Sequence, residues 1–181
     1  MSAIKLNSSG GGSITISPAS TASTLTLTAP AATGTIGIQG PAFAAANTTT
    51  QSGIVSGSYT KVAFNAEEFD TNNNYDPTTN YRFTPTVAGY YQVNFAAQIG
   101  MSVNVTLAFC VLYKNGSITN RYGSSLNSSN VYANFLSAGS TIIFMNGTTD
   151  YLEVYAYGAG SGTATILSNT GNFSAFFVRP A

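Results

Sequence analysis

The sequence predicts an all-β protein, a β-sandwich preceded by an extended β-rich arm, and three observations lead there. Only 7% of its 181 residues are charged, so solubility rests on Thr, Ser, Asn and Gly, a composition that favours strands and turns over helices. Residues 81–100, YRFTPTVAGYYQVNFAAQIG, place Tyr81, Phe83, Pro85, Val87, Tyr91, Val93, Phe95, Ala97 and Ile99 at alternate positions, the period-two pattern of strands with one buried face. Asn115-Gly116 follows FCVLYK and Asn146-Gly147 precedes TTDYLEVYAY; both pairs tolerate positive φ and signal hairpin turns.

The arm comes first in the chain. All 11 tyrosines and all 11 phenylalanines lie at Phe43 or beyond, and Lys5 is the single charge before residue 61. That shift sets a boundary near residue 40, between an attachment arm (1–40) and a knob (41–181). Within the arm, ITI at Ile14 to Ile16, LTL at Leu25 to Leu27 and IGI at Ile36 to Ile38 recur every 11 residues, a spacing that short strands separated by Ser, Pro and Gly turns produce. Two apolar side chains per strand cannot offset the entropy of ordering the chain. Ile14, Ile16, Leu25, Leu27, Ile36 and Ile38 are therefore expected to bury against a partner, either three copies around an axis or the surface of a larger assembly. A Thr-rich linker with accidental spacing is the alternative. SSGGGS at 8–13 has no following Lys-Ser or Lys-Thr, so it reads as a flexible segment and not a phosphate loop.

From Pro41 onward, short apolar or alternating runs between Gly, Asn, Asp and Pro predict strands near 41–45, 60–64, 80–84, 90–99, 104–113, 131–137, 141–145, 151–157, 163–167 and 173–178. In 104–113 both faces are apolar: Leu107, Phe109, Val111 and Tyr113 on one, Ala108, Cys110 and Leu112 on the other. A solvent-facing antiparallel sheet alternates more cleanly. One face is expected to enter the core and the other to meet a second subunit or a covering loop, and the surplus of aromatic residues favours the subunit.

Composition also narrows function. With a net charge of zero there is no basic surface for nucleic acid or anionic membrane. One cysteine and no histidine leave no intrachain disulfide, no Cys/His zinc site and no histidine-based triad. Cys110 reads as a small buried hydrophobe. Glu67 and Glu68 are adjacent, so they point to opposite faces of an extended strand and do not form a catalytic pair. No run of 18 apolar residues predicts membrane insertion, and the opening residues lack the apolar stretch of a secretory signal. The expectation is a non-enzymatic protein without a cofactor, made in a cytoplasm.

Phe64, Asp70, Tyr75, Phe83, Gly89, Tyr91, Val93 and Phe95, with five residues between Phe64 and Asp70, four between Asp70 and Tyr75 and five between Phe83 and Gly89, together resemble the signature of the complement component 1q globular head. That family shares the tumour-necrosis-factor jelly roll. The sequence departs from the pattern in one extra residue before Phe83 and in Val93, where an aromatic is usual. VLYKNGS, STIIFMNGTTDYLEVYAY and NFSAFFV are similar to the family's later strands, so the likeness covers roughly Pro41 to Val178. It implies a ten-stranded jelly-roll sandwich that assembles as a homotrimer. Tyr81, Phe109, Tyr113, Phe135 and Phe173 are taken as the trimer-facing residues. The glycine-rich arm is similar in composition to attachment segments of bacteriophage structural proteins.

Two local segments offer groups that could bind a ligand. EEFDTNNNYD offers oxygens at Asp70, Asn72, Asn74 and Asp76, and some members of the family bind calcium. Counting from Asp70, however, Tyr75 and Tyr81 stand where the helix-loop-helix calcium rule wants Gly and Glu, and Asx turns account for the asparagines. Residues 120–135, NRYGSSLNSSNVYANF, form an exposed polar segment in which Tyr122 and Tyr132 can stack on sugars. The function expected is that of a virion protein, a homotrimeric knob tied by its arms to a major capsid protein or another virion protein on the particle surface, decorating and cementing a bacteriophage capsid. The alternative is the tip of a tail fibre or spike that recognises a glycan or protein receptor on the host surface.

Overall fold

The structure is a computed structural model that describes residues 4–7, 10–11, 13–16, 40–101, 105–131, 134–161 and 163–181. The chain divides into two compact units, Met1–Ile38 and Gln39–Ala181. In the first, β1 (Ile4–Asn7) pairs antiparallel with β2 (Ser13–Ile16), Ile4 opposite Ile16 and Leu6 opposite Ile14. β2 holds the first of the three repeated strands, while Leu25, Leu27, Ile36 and Ile38 lie outside the described residues. The glycine-rich segment read as merely flexible spans the reversal between β1 and β2. Gly11 there has φ of 82°, a conformation costly for residues with a Cβ.

The second unit is built from β3 (Ala42–Ala46), β4 (Gln51–Ile54), β5 (Ser58–Lys61), β6 (Ala66–Asp70), β7 (Tyr75–Asp76), β8 (Arg82–Phe83), β9 (Gly89–Met101), β10 (Val105–Lys114), β11 (Ser117–Val131), β12 (Phe135–Met145), β13 (Leu152–Gly160), β14 (Ala164–Ile166) and β15 (Asn172–Arg179), and no helix occurs among the described residues. Two sheets face each other. One runs β11-β10-β13-β8-β7, with β5 also on β13; the other runs β4-β14-β9-β15-β3-β6, with β12 along the remaining edge of β9. The alternation in 91–99 works as expected: Tyr91, Val93, Phe95, Ala97 and Ile99 are all buried.

Aromatic rings fill the space between the sheets. Phe43 stacks on Tyr75 and Phe83 at centroid distances of 4.7 and 4.5 Å and meets Phe173 edge-on at 4.9 Å. The two core tyrosines keep their hydroxyls satisfied, Tyr75 donating to the carbonyl of Phe64 and Tyr91 to that of Val87, both at 2.8 Å. In the sheet that holds Tyr75 and Phe83, β10 and β13 add small residues, Ala108, Cys110 and Ala156, all fully buried. Large and small side chains thus interdigitate between the sheets, as close packing requires.

Several expectations need correction. β11 is a strand where none was expected before residue 131, because pairing along β10 satisfies the backbone whatever the side-chain composition; residues 120–125 are largely exposed, as the polar segment was expected to be. β12 is one strand where two were expected. Gly139 is not a break: a Cβ there would stand 2.4 Å from the Phe95 ring, so the glycine makes room for packing. Asn115-Gly116 does form the β10–β11 hairpin, with φ of 53° and 73°. Asn146-Gly147 does not form one, since β12 and β13 belong to different sheets. Instead Asn146 Oδ1 accepts the N–H groups of Thr148, Thr149 and Asp150 at 2.9–3.0 Å and shapes a crossover loop.

Candidate functional site

The second sheet turns one face to the core and the other outward, and the outward face is unusually apolar at one end. Register sets it out row by row. Phe144 of β12 lies opposite Tyr90 of β9, and Ile142 opposite Gln92, which also faces Phe176 of β15. Ile142, Phe176 and Leu136 are 50–53% exposed, and Phe144, Tyr90 and Val178 are also exposed. Tyr90, Ile142, Val178 and Arg179 line a shallow depression of about 200 Å³. Next along the strands comes a polar row in which Gln92 Nε2 donates to Ser140 Oγ at 2.7 Å and Ser140 donates to Asn94 Oδ1 at 2.9 Å. Beyond it, Ala44 and Ala46 of β3, Ala96 of β9 and Ala138 of β12 keep the face flat. Apolar ends, a self-satisfied polar row and small residues make a surface suited to close apposition.

The outward face of the first sheet is different in kind. Tyr59 of β5 stands opposite Tyr157 of β13, which stands opposite Phe109 of β10. Phe109 and Tyr157 stack at 5.0 Å, Tyr113 and Tyr155 at 4.0 Å, and Tyr122 of β11 meets Phe109 edge-on at 5.3 Å. The rings form a continuous floor across four strands. Phe109, the one ring without a hydroxyl, is only 8% exposed, whereas Tyr59 and Tyr122 are 42% and 49% exposed. Lys61 Nζ lies 5.9 Å above the Tyr155 ring and pairs with Glu153 at 2.5 Å, so the charges at this edge cancel. Burial, reinforced by Glu153, pushes the Tyr155 phenol up to about 12.

The five residues taken as trimer-facing are dispersed by this fold. Phe173 is fully buried within its own sandwich and has no free face for a partner, which corrects that expectation, whereas Phe135 is partly buried and packs against the same core. Phe109 and Tyr113 belong to the tyrosine-rich face, and Tyr81, partly buried, sits before β8 with φ of 49°. The outward residues of the apolar face went unnoticed, yet a signal existed. Tyr90-Tyr91, Ile142-Ile143 and Phe176-Phe177 are apolar doublets, and in a strand adjacent residues point to opposite faces, so each doublet marks a strand apolar on both.

The acid-rich loop is engaged internally. Asp70 accepts from the N–H groups of Asn72 and Tyr75 at 3.1 and 2.6 Å. Asp76 accepts from the N–H groups of Thr78, Thr79 and Asn80 at 3.0–3.1 Å and from the Asn80 amide at 2.7 Å. The Thr79 and Thr78 N–H groups hold its carboxyl well below the usual carboxylate range. No group of three or more His, Cys, Asp or Glu suited to a metal ion occurs among the described residues. Cys110 lies fully buried, and burial pushes its thiol up to about 12, which suppresses the reactive thiolate.

Known structures resemble this architecture. Murine APRIL at pH 5.0 superposes with a TM-score of 0.54 at 9% identity, covering 77% of this chain and 100% of its own. Eiger TNF from S. frugiperda gives 0.53 at 12% identity, covering 80% and 96% respectively. The fold is the tumour-necrosis-factor-like jelly roll. At such identities the likeness concerns the fold alone. No protein-family description matches the sequence, and no curated protein does.

Proposed function

We propose that this chain is a non-enzymatic virion structural protein, a homotrimeric knob tied by its N-terminal arms to a bacteriophage capsid that it decorates and cements. The observation that carries the reading is the apolar outward face of β12, β9 and β15. Monomeric soluble proteins rarely leave a contiguous apolar patch beyond a few hundred Å² uncovered. Three copies around an axis cover it on every subunit at once, and a stable contact needs roughly 800 Å² from each partner. Each apolar Å² removed from water contributes about 25 cal/mol.

The arm supports the attachment half of the reading. Its paired strands β1 and β2 bring Ile4, Leu6, Ile14 and Ile16 into register, but a two-stranded hairpin is marginal in water without a surface to lie on. Neighbouring shell subunits offer such a surface, and symmetry repeats the contact. The test is a binding assay of the full chain and of a chain lacking residues 1–40 to emptied particles. The full chain is expected to saturate the particles and the shortened one to lose binding; equal binding by both contradicts attachment through the arm.

A second reading places the same trimer at the tip of a tail fibre or spike that engages the host surface. The tyrosine-rich outward face of the first sheet favours it, because that face lies on the sheet opposite the apolar one. Labelling on intact particles separates the readings by position, on the shell or on the tail.

A further inference from the structure

Within one sandwich the two outward faces use different chemistry. The β12-β9-β15 face exposes mainly Phe, Ile, Leu and Val, with Tyr90 its single exposed phenol among the described residues, as expected of a surface hidden from water. On the β5-β13-β10-β11 face the opposite holds: Tyr59, Tyr113, Tyr122, Tyr155 and Tyr157 reach the surface, and the one phenylalanine among them, Phe109, lies beneath. A ring whose edge stays in water carries a hydroxyl there, and the ring that is covered does not.

We propose that this tyrosine-rich face is a binding site for a neutral saccharide chain. A pyranose ring presents a C–H surface to one side and hydroxyls around its rim. The first fits the negative face of an aromatic ring, the second a phenol. Tyr59 and Tyr122 supply the exposed ring surface, with the stacked Phe109 and Tyr157 as a rigid floor between them. Among the described residues no hydrogen bond engages the hydroxyls of Tyr59, Tyr113 or Tyr157, so they are free to meet a ligand. The phenols also converge. Burial raises the Tyr59 and Tyr113 phenols, and the neighbouring phenols, Tyr122 and Tyr157 beside Tyr59 and Tyr59 and Tyr122 beside Tyr113, add to it.

Charge selects among ligands. Lys61 and Glu153 are the charged residues at this edge and they neutralise each other at 2.5 Å, so nothing here attracts a phosphorylated or sulfated chain. A neutral glycan matches a neutral face. The site deepens the second reading of function, and it remains compatible with the first, since both need only that this sheet face outward.

Affinity electrophoresis of the full chain through gels containing starch, mixed-linkage β-glucan, xylan or mannan tests the proposal. The parent is expected to be retarded by at least one of these neutral polymers. Tyr59→Ala and Tyr122→Ala are each expected to weaken binding about tenfold, with Tyr59→Phe, which keeps the ring, losing less. Thermal melts establish that the variants are folded. Phe176→Asp, on the other sheet, disrupts assembly and leaves each monomer's saccharide binding in place, so failure of the trimer reading and failure of this one are told apart. Retardation by none of the four polymers overturns the proposal. So does binding that survives the Tyr59→Ala/Tyr122→Ala double substitution, binding confined to anionic polymers, or a loss of self-association in the tyrosine variants, which marks the face as a contact between copies.

Discussion

Asp76 shows how much a single carboxylate does in a chain with six acids. It ties down the turn from Thr78 to Asn80, and its ionised form is the one that accepts those N–H groups. Because its folded pKa lies below the ordinary 3.8, the stability it adds is present above that value and is lost as pH falls through the folded pKa. Asp76→Asn is expected to cost about 1–2 kcal/mol at neutral pH and to converge on the parent as the pH is lowered below 3.8, measured by urea unfolding at a series of pH values. A constant difference down to the lowest pH contradicts the account. Asp150 belongs to the same class. Burial raises its pKa, but the Asn115 amide, Lys114 and the Asn146 N–H more than compensate and hold it low. The sequence already favours turns over a cation in the segment from Asp70 to Asp76, but it carries no sign of the part that Asp150 plays.

At the scale of the element, β12 and β11 show where sequence reading succeeds and where it stops. Hydrophobic alternation located the inner strands because burial on one face writes a period of two into the chain. β11 has no such period: it is an edge strand of Ser, Asn and Gly held by its neighbours. Ser137 donates to the Ser124 carbonyl at 2.7 Å and accepts from the Cys110 N–H at 2.7 Å, linking β11 and β12 where the sheets meet. Such a link depends on tertiary placement, which no local pattern records. Gly139 misled for a related reason, since a glycine that relieves a clash looks the same in sequence as one that makes a turn. Gly139→Val drives a branched side chain into the Phe95 ring. It is expected to destabilise the knob by about 1–3 kcal/mol, read as an earlier denaturant midpoint with an unchanged slope; an unchanged midpoint means the ring has room to move. The apolar doublets were legible in principle, but their parity became clear only once the buried partner of each pair was known.

For the molecule as a whole, two sheets enclose an aromatic core and present two unlike outward faces, one apolar and one lined with phenols. The jelly-roll expectation came from spaced core aromatics, Phe64, Tyr75, Phe83, Tyr91 and Phe95, all of which are buried. The apolar outward face was not foreseen, because residues that point away from the core leave no trace in the pattern the core imposes. The central claim is that the apolar face drives trimer formation, and the mass of the full chain in solution tests it most directly. Light scattering at micromolar concentration is expected to give three times the 18.7 kDa of one chain, and Ile142→Asp/Phe176→Asp, which places two charges on that face, is expected to give a folded monomer. A parent that runs as a monomer, or a double variant that remains trimeric, contradicts the claim.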